Sequence, residues 1–106
     1  EVNFNVIIIG TPRKGENCRL NTLKEVSKVN PQVVAIFPGL DNTTDLAAEV
    51  LVDSGYRGRI QVLKNVEEVV NFTLKCAKQY KNIFIGGNGQ KRLIEIENEL
   101  YKFLNE

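Results

Sequence analysis

The stretch GTPRKGEN, from Gly10 to Asn17, gathers more groups able to do chemistry than any other part of this sequence. It offers glycine-flanked backbone N–H groups, the Thr11 hydroxyl, the adjacent cations Arg13 and Lys14, and the Asn17 amide. Such a set suits a phosphate or another anion. The spacing is not that of a Walker loop, which closes on Gly-Lys-Ser/Thr, because here Lys14 precedes Gly15. Nor is it Gly-x-Gly-x-x-Gly. The competing reading is a strand-to-helix turn with exposed charge, in which the glycines make the bends and Pro12 stiffens them. Gly86, Gly87, Asn88 and Gly89 form a second candidate nest for an anion, against a plain turn that needs positive φ. Asp41, followed by Asn42, could hold Mg²⁺ beside a phosphate. A lone Asp in the run LDNTT reads first as a turn or cap residue.

The absences restrict the chemistry further. The chain has no His, no Met and no Trp. Without histidine there is no Ser-His-Asp or Cys-His arrangement and no imidazole base near neutral pH. Any proton chemistry would fall to a carboxylate such as Asp41 or Glu16. The two cysteines, Cys18 and Cys76, are too few for a zinc site of the usual kind, and they read as two reduced thiols of a cytoplasmic protein, with a Cys18–Cys76 disulfide as the alternative that nothing in the sequence favours. With 14 basic and 13 acidic side chains the net charge is +1, which lacks the basic excess of a dedicated nucleic-acid binder. No apolar run approaches the roughly 20 residues that span a bilayer, and the acidic start has no signal-peptide pattern. The missing initiator methionine suggests a processed, trimmed or excised chain, or a reworked sequence.

These groups must be positioned by a scaffold, and 106 residues with 42% hydrophobic content suit one domain with one core. Four short runs rich in β-branched residues read as strands: Val6 to Ile9, Val33 to Phe37, Ile60 to Leu63 and Ile83 to Ile85. They are continuous rather than alternating, as in strands covered on both faces of a parallel sheet. A helical pattern follows each. The first carries Leu20, Leu23, Val26 and Val29 and stops at Asn30 and Pro31. The second carries Leu46, Ala47, Val50 and Leu51, with Thr43 or Thr44 as cap, Asp45 in its first turn and Gly55 at its end. The third opens on Asn65 with Glu68 three residues on, a capping-box spacing, and shows Val66, Val69, Val70, Thr73 and Ala77 on one face. The fourth starts near Asn88 to Gln90 and carries Leu93, Ile96, Leu100 and Phe103 or Leu104. Tyr56, Tyr80 and Tyr101 lie at or near helix ends and read as packing residues with a wet hydroxyl.

The order β-α-β-α-β-α-β-α predicts a three-layer α/β/α sandwich of Rossmann or flavodoxin-like type around a four-stranded parallel sheet, spanning residues 1–106 as a single domain. Ligands of such folds sit at the carboxyl ends of the strands. The loops gathered there contribute Gly10, Thr11, Arg13, Lys14, Asn17, Asp41, Asn42, Lys64, Gly86, Gly87, Asn88 and Gly89. Their cations outnumber their acids, and four helix N-termini add partial positive charge. A small anionic ligand is the natural expectation.

Two families share features with this chain. The run GTPRKGENCRL, Gly10 to Leu20, resembles the phosphate loop of the flavodoxin-like NADPH-dependent FMN reductases. Gly10, Thr11, Pro12, Arg13, Asn17 and Leu20 match that loop in type, while Cys18 replaces its threonine and Glu16 adds a negative charge. The resemblance implies an FMN-binding electron carrier, though Pro38 to Thr44 and Gly86 to Gln90 contain no aromatic to meet an isoalloxazine. The whole chain, through VIIIGTPRKG, VVAIFPGLDNTTDLAAEVLVDSG, RIQVLKNVEEVVNFTLKCAKQ and KNIFIGGNGQKRLIEIENELYKFL, is similar in order and spacing to the last domain of the Mur ligase and folylpolyglutamate synthase superfamily. In that family this domain swings onto an ATP-loaded neighbour and helps bind the incoming amino acid. Only the Asp41–Asn42 loop and Gly86 to Gly89 fall at matching positions. The family's Asp-x-x-His-Asn-Pro loop is absent, and so is its ATP-binding domain. The resemblance therefore implies a binding domain that is not catalytic alone and works with partner domains of a larger ligase. A third reading is a ligand-free or designed Rossmann-like scaffold. ATP and FMN are the candidate cofactors.

Overall fold

The computed structural model describes residues 5–11, 21–39, 43–80, 82–87 and 90–104. Four strands alternate with four helices: β1 (Val6–Gly10), α1 (Asn21–Val29), β2 (Val33–Phe37), α2 (Thr44–Asp53), β3 (Arg59–Val62), α3 (Val66–Ala77), β4 (Ile83–Gly87) and α4 (Gln90–Leu104). The strands form one sheet in the order β3-β2-β1-β4, and all three pairings are parallel. This is the three-layer α/β arrangement that the alternation predicts. The order is that of the Rossmann half-fold; a flavodoxin-type sheet runs 2-1-3-4-5 and sets β3 beside β1, where β4 stands here.

Each face of the sheet has its own core. Ile7 and Ile9 of β1 and Val34 and Ile36 of β2 meet Leu23 and Val26 of α1 and Ala47 and Leu51 of α2. Val6, Ile8, Val33, Ala35 and Phe37 meet Val69, Val70 and Cys76 of α3 and Ile96 of α4. Every residue of β1 and β2 is buried, because both strands have neighbours on each side and helices above and below. The expectation of double cover fails at β3 and β4, where the described sheet ends. Arg59 and Val62 of β3 and Phe84 of β4 are exposed.

Local chemistry fixes the helix ends. Gly55 adopts φ 93°, its N–H donates to the Val52 carbonyl, and the Tyr56 N–H donates to Leu51, which together close α2 in a Schellman motif. Asn30 ends α1 with φ 55°, a conformation Asn tolerates. The Asn65 side chain accepts from the Glu68 N–H at 2.9 Å, and the Glu68 carboxylate accepts from the Lys64 N–H at 3.1 Å, one residue earlier than in the usual capping box. Thr43 occupies the N-cap of α2, but its side chain makes no capping hydrogen bond there.

Several facing expectations are corrected. Val29 is 51% exposed, since a spacing of three residues drifts off the face of a 3.6-residue turn. Leu46 is exposed because it lies about 100° round the helix from buried Ala47. On α3, Cys76 is buried and Ala77 exposed; both fit the helical period, and the sheet lies beneath Cys76. Cys76 is a free thiol, while Cys18 lies outside the described residues. Tyr101 is largely exposed. No helix among the described residues is long and apolar enough to cross a membrane.

Candidate functional site

The chain moves from β1 outward to β2 and β3, then returns across the sheet to place β4 on the other side of β1. The strand order therefore reverses between β1 and β4. The helices that follow these two strands lie on opposite faces, α1 with the core of β1's odd-numbered residues and α4 with the core of its even-numbered ones. In open α/β sheets a reversal of this kind marks the end of the sheet where ligands bind.

Glycine forms the floor of the candidate site at this point. Ile9 pairs with Gly86 and Gly10 with Gly87, so the last rung between the strands is glycine against glycine. Neither position carries a side chain, and Gly10 is itself buried. Gly10, Gly86 and Gly87, three of the positions singled out from the sequence, are thus brought together although 76 residues of chain separate Gly10 from Gly86.

Thr11 is also at this end, but its polar groups point into the sheet. It is 1% exposed; its N–H donates to the Phe37 carbonyl at 3.0 Å and its hydroxyl to the same oxygen at 3.2 Å. Thr11 ties the end of β1 to the end of β2. Lys64 is exposed at the end of β3, two strand spacings, or about 10 Å, from β1. It is the one candidate cation among the described residues, and it is not gathered at the glycine floor. Arg13, Lys14, Asn17, Asp41, Asn42, Asn88 and Gly89 lie outside the described residues.

The shifted titrating groups lie elsewhere. Burial raises the pKa of Tyr56, between α2 and β3. Burial also raises that of Cys76, near the end of α3, against the opposing pull of Arg59 and Lys75. A groove of about 830 Å³ runs between α3 and α4, where Glu67, Glu95 and Glu99 outnumber Lys102 and so disfavour an anion. Among the described residues no group of three or more acidic or thiol side chains is placed to hold a metal ion.

Sequence reasoning missed Phe84. It falls in a strand run and reads there as core, yet it is 42% exposed. A Cβ on Gly86 would lie 2.7 Å from its Cζ, so the ring leans over Gly86, toward the glycine floor. The signal in the sequence is a Phe two residues before a Gly, on the same face of a strand at the edge of the sheet.

Comparison with protein-family models, with curated proteins and with solved structures finds no match to this chain.

Proposed function

We propose that this chain is a small-anion-binding α/β domain that acts with partner domains, in the manner of the closing domain of the Mur ligases, and is not catalytic alone. The observation that carries the reading is the switch point: the strand order reverses between β1 and β4, and Gly10 and Gly87 face each other there. That is where open α/β sheets take their ligands. Arg13 and Lys14 follow Thr11 in the sequence, so the ligand is taken to carry negative charge. ATP–Mg²⁺ is the first ligand to try. FMN is the alternative suggested by the Gly10 to Leu20 run, and the strand order, which is not that of flavodoxin, lends it no support.

Thermal-shift titration with phosphate, ATP–Mg²⁺ and FMN tests the reading. A ligand at 100 times its dissociation constant stabilises the fold by about 2.7 kcal/mol, a readily visible shift. The shift is expected with at least one of them, and it should vanish in Arg13→Ala/Lys14→Ala. No shift with any of the three overturns the reading and favours the ligand-free scaffold.

A further inference from the structure

We infer that the outer edge of β4 is a pairing surface for a second copy of this chain, which joins it as an antiparallel β4–β4 pair about a two-fold axis at Ile85. The inference is independent of the anion site and adds an interaction surface to the fold.

Among the described residues the sheet ends at β3 on one side and at β4 on the other, so each of these strands turns one row of backbone groups outward. The two edges differ in charge. Arg59 stands on β3, its guanidinium donating to Gln61, and Lys64 follows the strand. Two copies meeting there would bring like charges together. β4 reads IFIGG, with no charged residue and no proline to deter a partner. Beside it lies an apolar hollow of about 410 Å³ against α4, lined by Ile85, Leu93, Ile96, Leu100 and Tyr101, with Glu97 as its one charged residue. Ile83 and Ile85 are only partly buried at this border.

The backbone selects the register. The Val6 N–H donates to the Asn82 carbonyl, so the polar groups of Phe84 and Gly86 turn toward β1, and those of Ile83, Ile85 and Gly87 turn outward. In an antiparallel pair about Ile85, Ile83 of one copy stands opposite Gly87 of the other, and Ile85 stands opposite itself. Every outward residue then falls on a hydrogen-bonded pair, which exchanges both N–H···O bonds. A shift of one residue would set outward groups of one copy against inward-turned groups of the other. Size also fits, since Phe84 stands across from Gly86 and Ile83 from Gly87. The edge is therefore complementary to itself in register, size and charge, and the two-fold closes the assembly at two chains. The contact is small: five residues of strand run about 17 Å, which puts the dimer at the weak end of specific interfaces.

Sedimentation from roughly 10 µM to 1 mM, a range suited to a small interface, is read together with amide hydrogen exchange at each residue. The expected result is a rise from one chain to two, with the amides of Ile83, Ile85 and Gly87 slowing in step. The outward amides of β3, those of Ile60 and Val62, should not change with concentration. Phe84→Lys sets two like charges on one face of the paired strands and should weaken the dimer about fivefold or more. If that variant does not fold, the wild-type amides decide the question alone. A chain that stays single at the highest concentration overturns the inference. So does a dimer in which the three β4 amides stay fast, because its contact lies elsewhere, and so does growth beyond two chains, because the contact is then open-ended. Amides already slow in the single chain would mean that the chain covers this edge itself, and the inference fails. A folded Phe84→Lys that dimerises like the wild type overturns it as well.

Discussion

At the amino-terminal end of the sheet, hydrogen bonds run across the strands in succession. The N–H groups of Asn5 and Val6 donate to the Asn82 carbonyl, those of Gln32 and Val33 to the Asn5 carbonyl, and that of Arg59 to the Gln32 carbonyl. The Asn5 side chain accepts from the Asn82 N–H, which binds the same two segments a second time. Tyr56 closes this end: it is 5% exposed, and its hydroxyl donates to the Pro31 carbonyl at 2.9 Å. Gly58 leaves it room, since a Cβ there would strike the Tyr56 hydroxyl. The carboxyl-terminal end is tied differently. Thr11 holds Phe37 and the Leu63 N–H donates to Ile36 at 2.8 Å, and the last rung between β1 and β4 is glycine against glycine. The difference separates two duties. One end is tied by backbone hydrogen bonds from strand to strand and by the buried Tyr56 hydroxyl. The other ends in a glycine pair at the point where the strand order reverses.

If that separation holds, damage at the amino-terminal end should cost stability and spare binding. Tyr56→Ala removes a buried ring and its hydrogen bond, and is expected to cost about 3–5 kcal/mol in urea denaturation. That is a large share of the roughly 5–15 kcal/mol a domain of this size commands. Ligand affinity, measured on the folded fraction, should not change. A loss below about 1 kcal/mol would mean that this end is not the anchor.

Tyr56→Phe sharpens the same point. The ring stays, the hydroxyl goes, and the Pro31 carbonyl is left without that donor; the expected cost is about 1–2 kcal/mol. It should also change the alkaline response. Burial raises the Tyr56 pKa in the folded state. The folded chain therefore holds this proton where the unfolded chain, titrating near pH 10, has begun to lose it. The stabilisation is complete below about pH 10 and is lost as pH rises toward the folded pKa. Cys76 is shifted in the same direction, but it is present in both proteins. The difference between wild type and Tyr56→Phe isolates the tyrosine, and a difference independent of pH from 9 to 11 would contradict the assignment.

Tyr56 also illustrates what the sequence could reveal. Strand and helix identity is written locally: Val33 to Phe37 is read with the bounds it has, and the Asn65–Glu68 spacing yields the cap it implies. What depends on distant partners is not. Tyr56 looked like a wet residue near a helix end, and only the arrival of Pro31 from 25 residues away buries its hydroxyl. Gly86 and Gly87 carry no strand propensity and read as loop; pairing with Ile9 and Gly10 extends β4 through them. The same pairing assembles the candidate site, so its floor was legible as glycines of interest but not as neighbours. Phe84 was hidden for the opposite reason. Its residue type announces burial, and its exposure follows from a place at the edge of the sheet that no local pattern records.

The smallest effect tests the boundary between the two duties. Thr11 belongs by position to the ligand end, and a hydroxyl next to a glycine floor invites a role in anion binding. Its geometry assigns it to the scaffold, because both N–H and hydroxyl donate to the Phe37 carbonyl. Thr11→Val keeps the shape and the backbone bond and deletes one hydrogen bond in a site that is 1% exposed. The expected cost is about 0.5–1.5 kcal/mol, with phosphate affinity changed by less than twofold. A large loss of affinity at unchanged stability would move Thr11 into the binding site, and the line between the anchored end and the ligand end would then run below β1's last residue rather than above it.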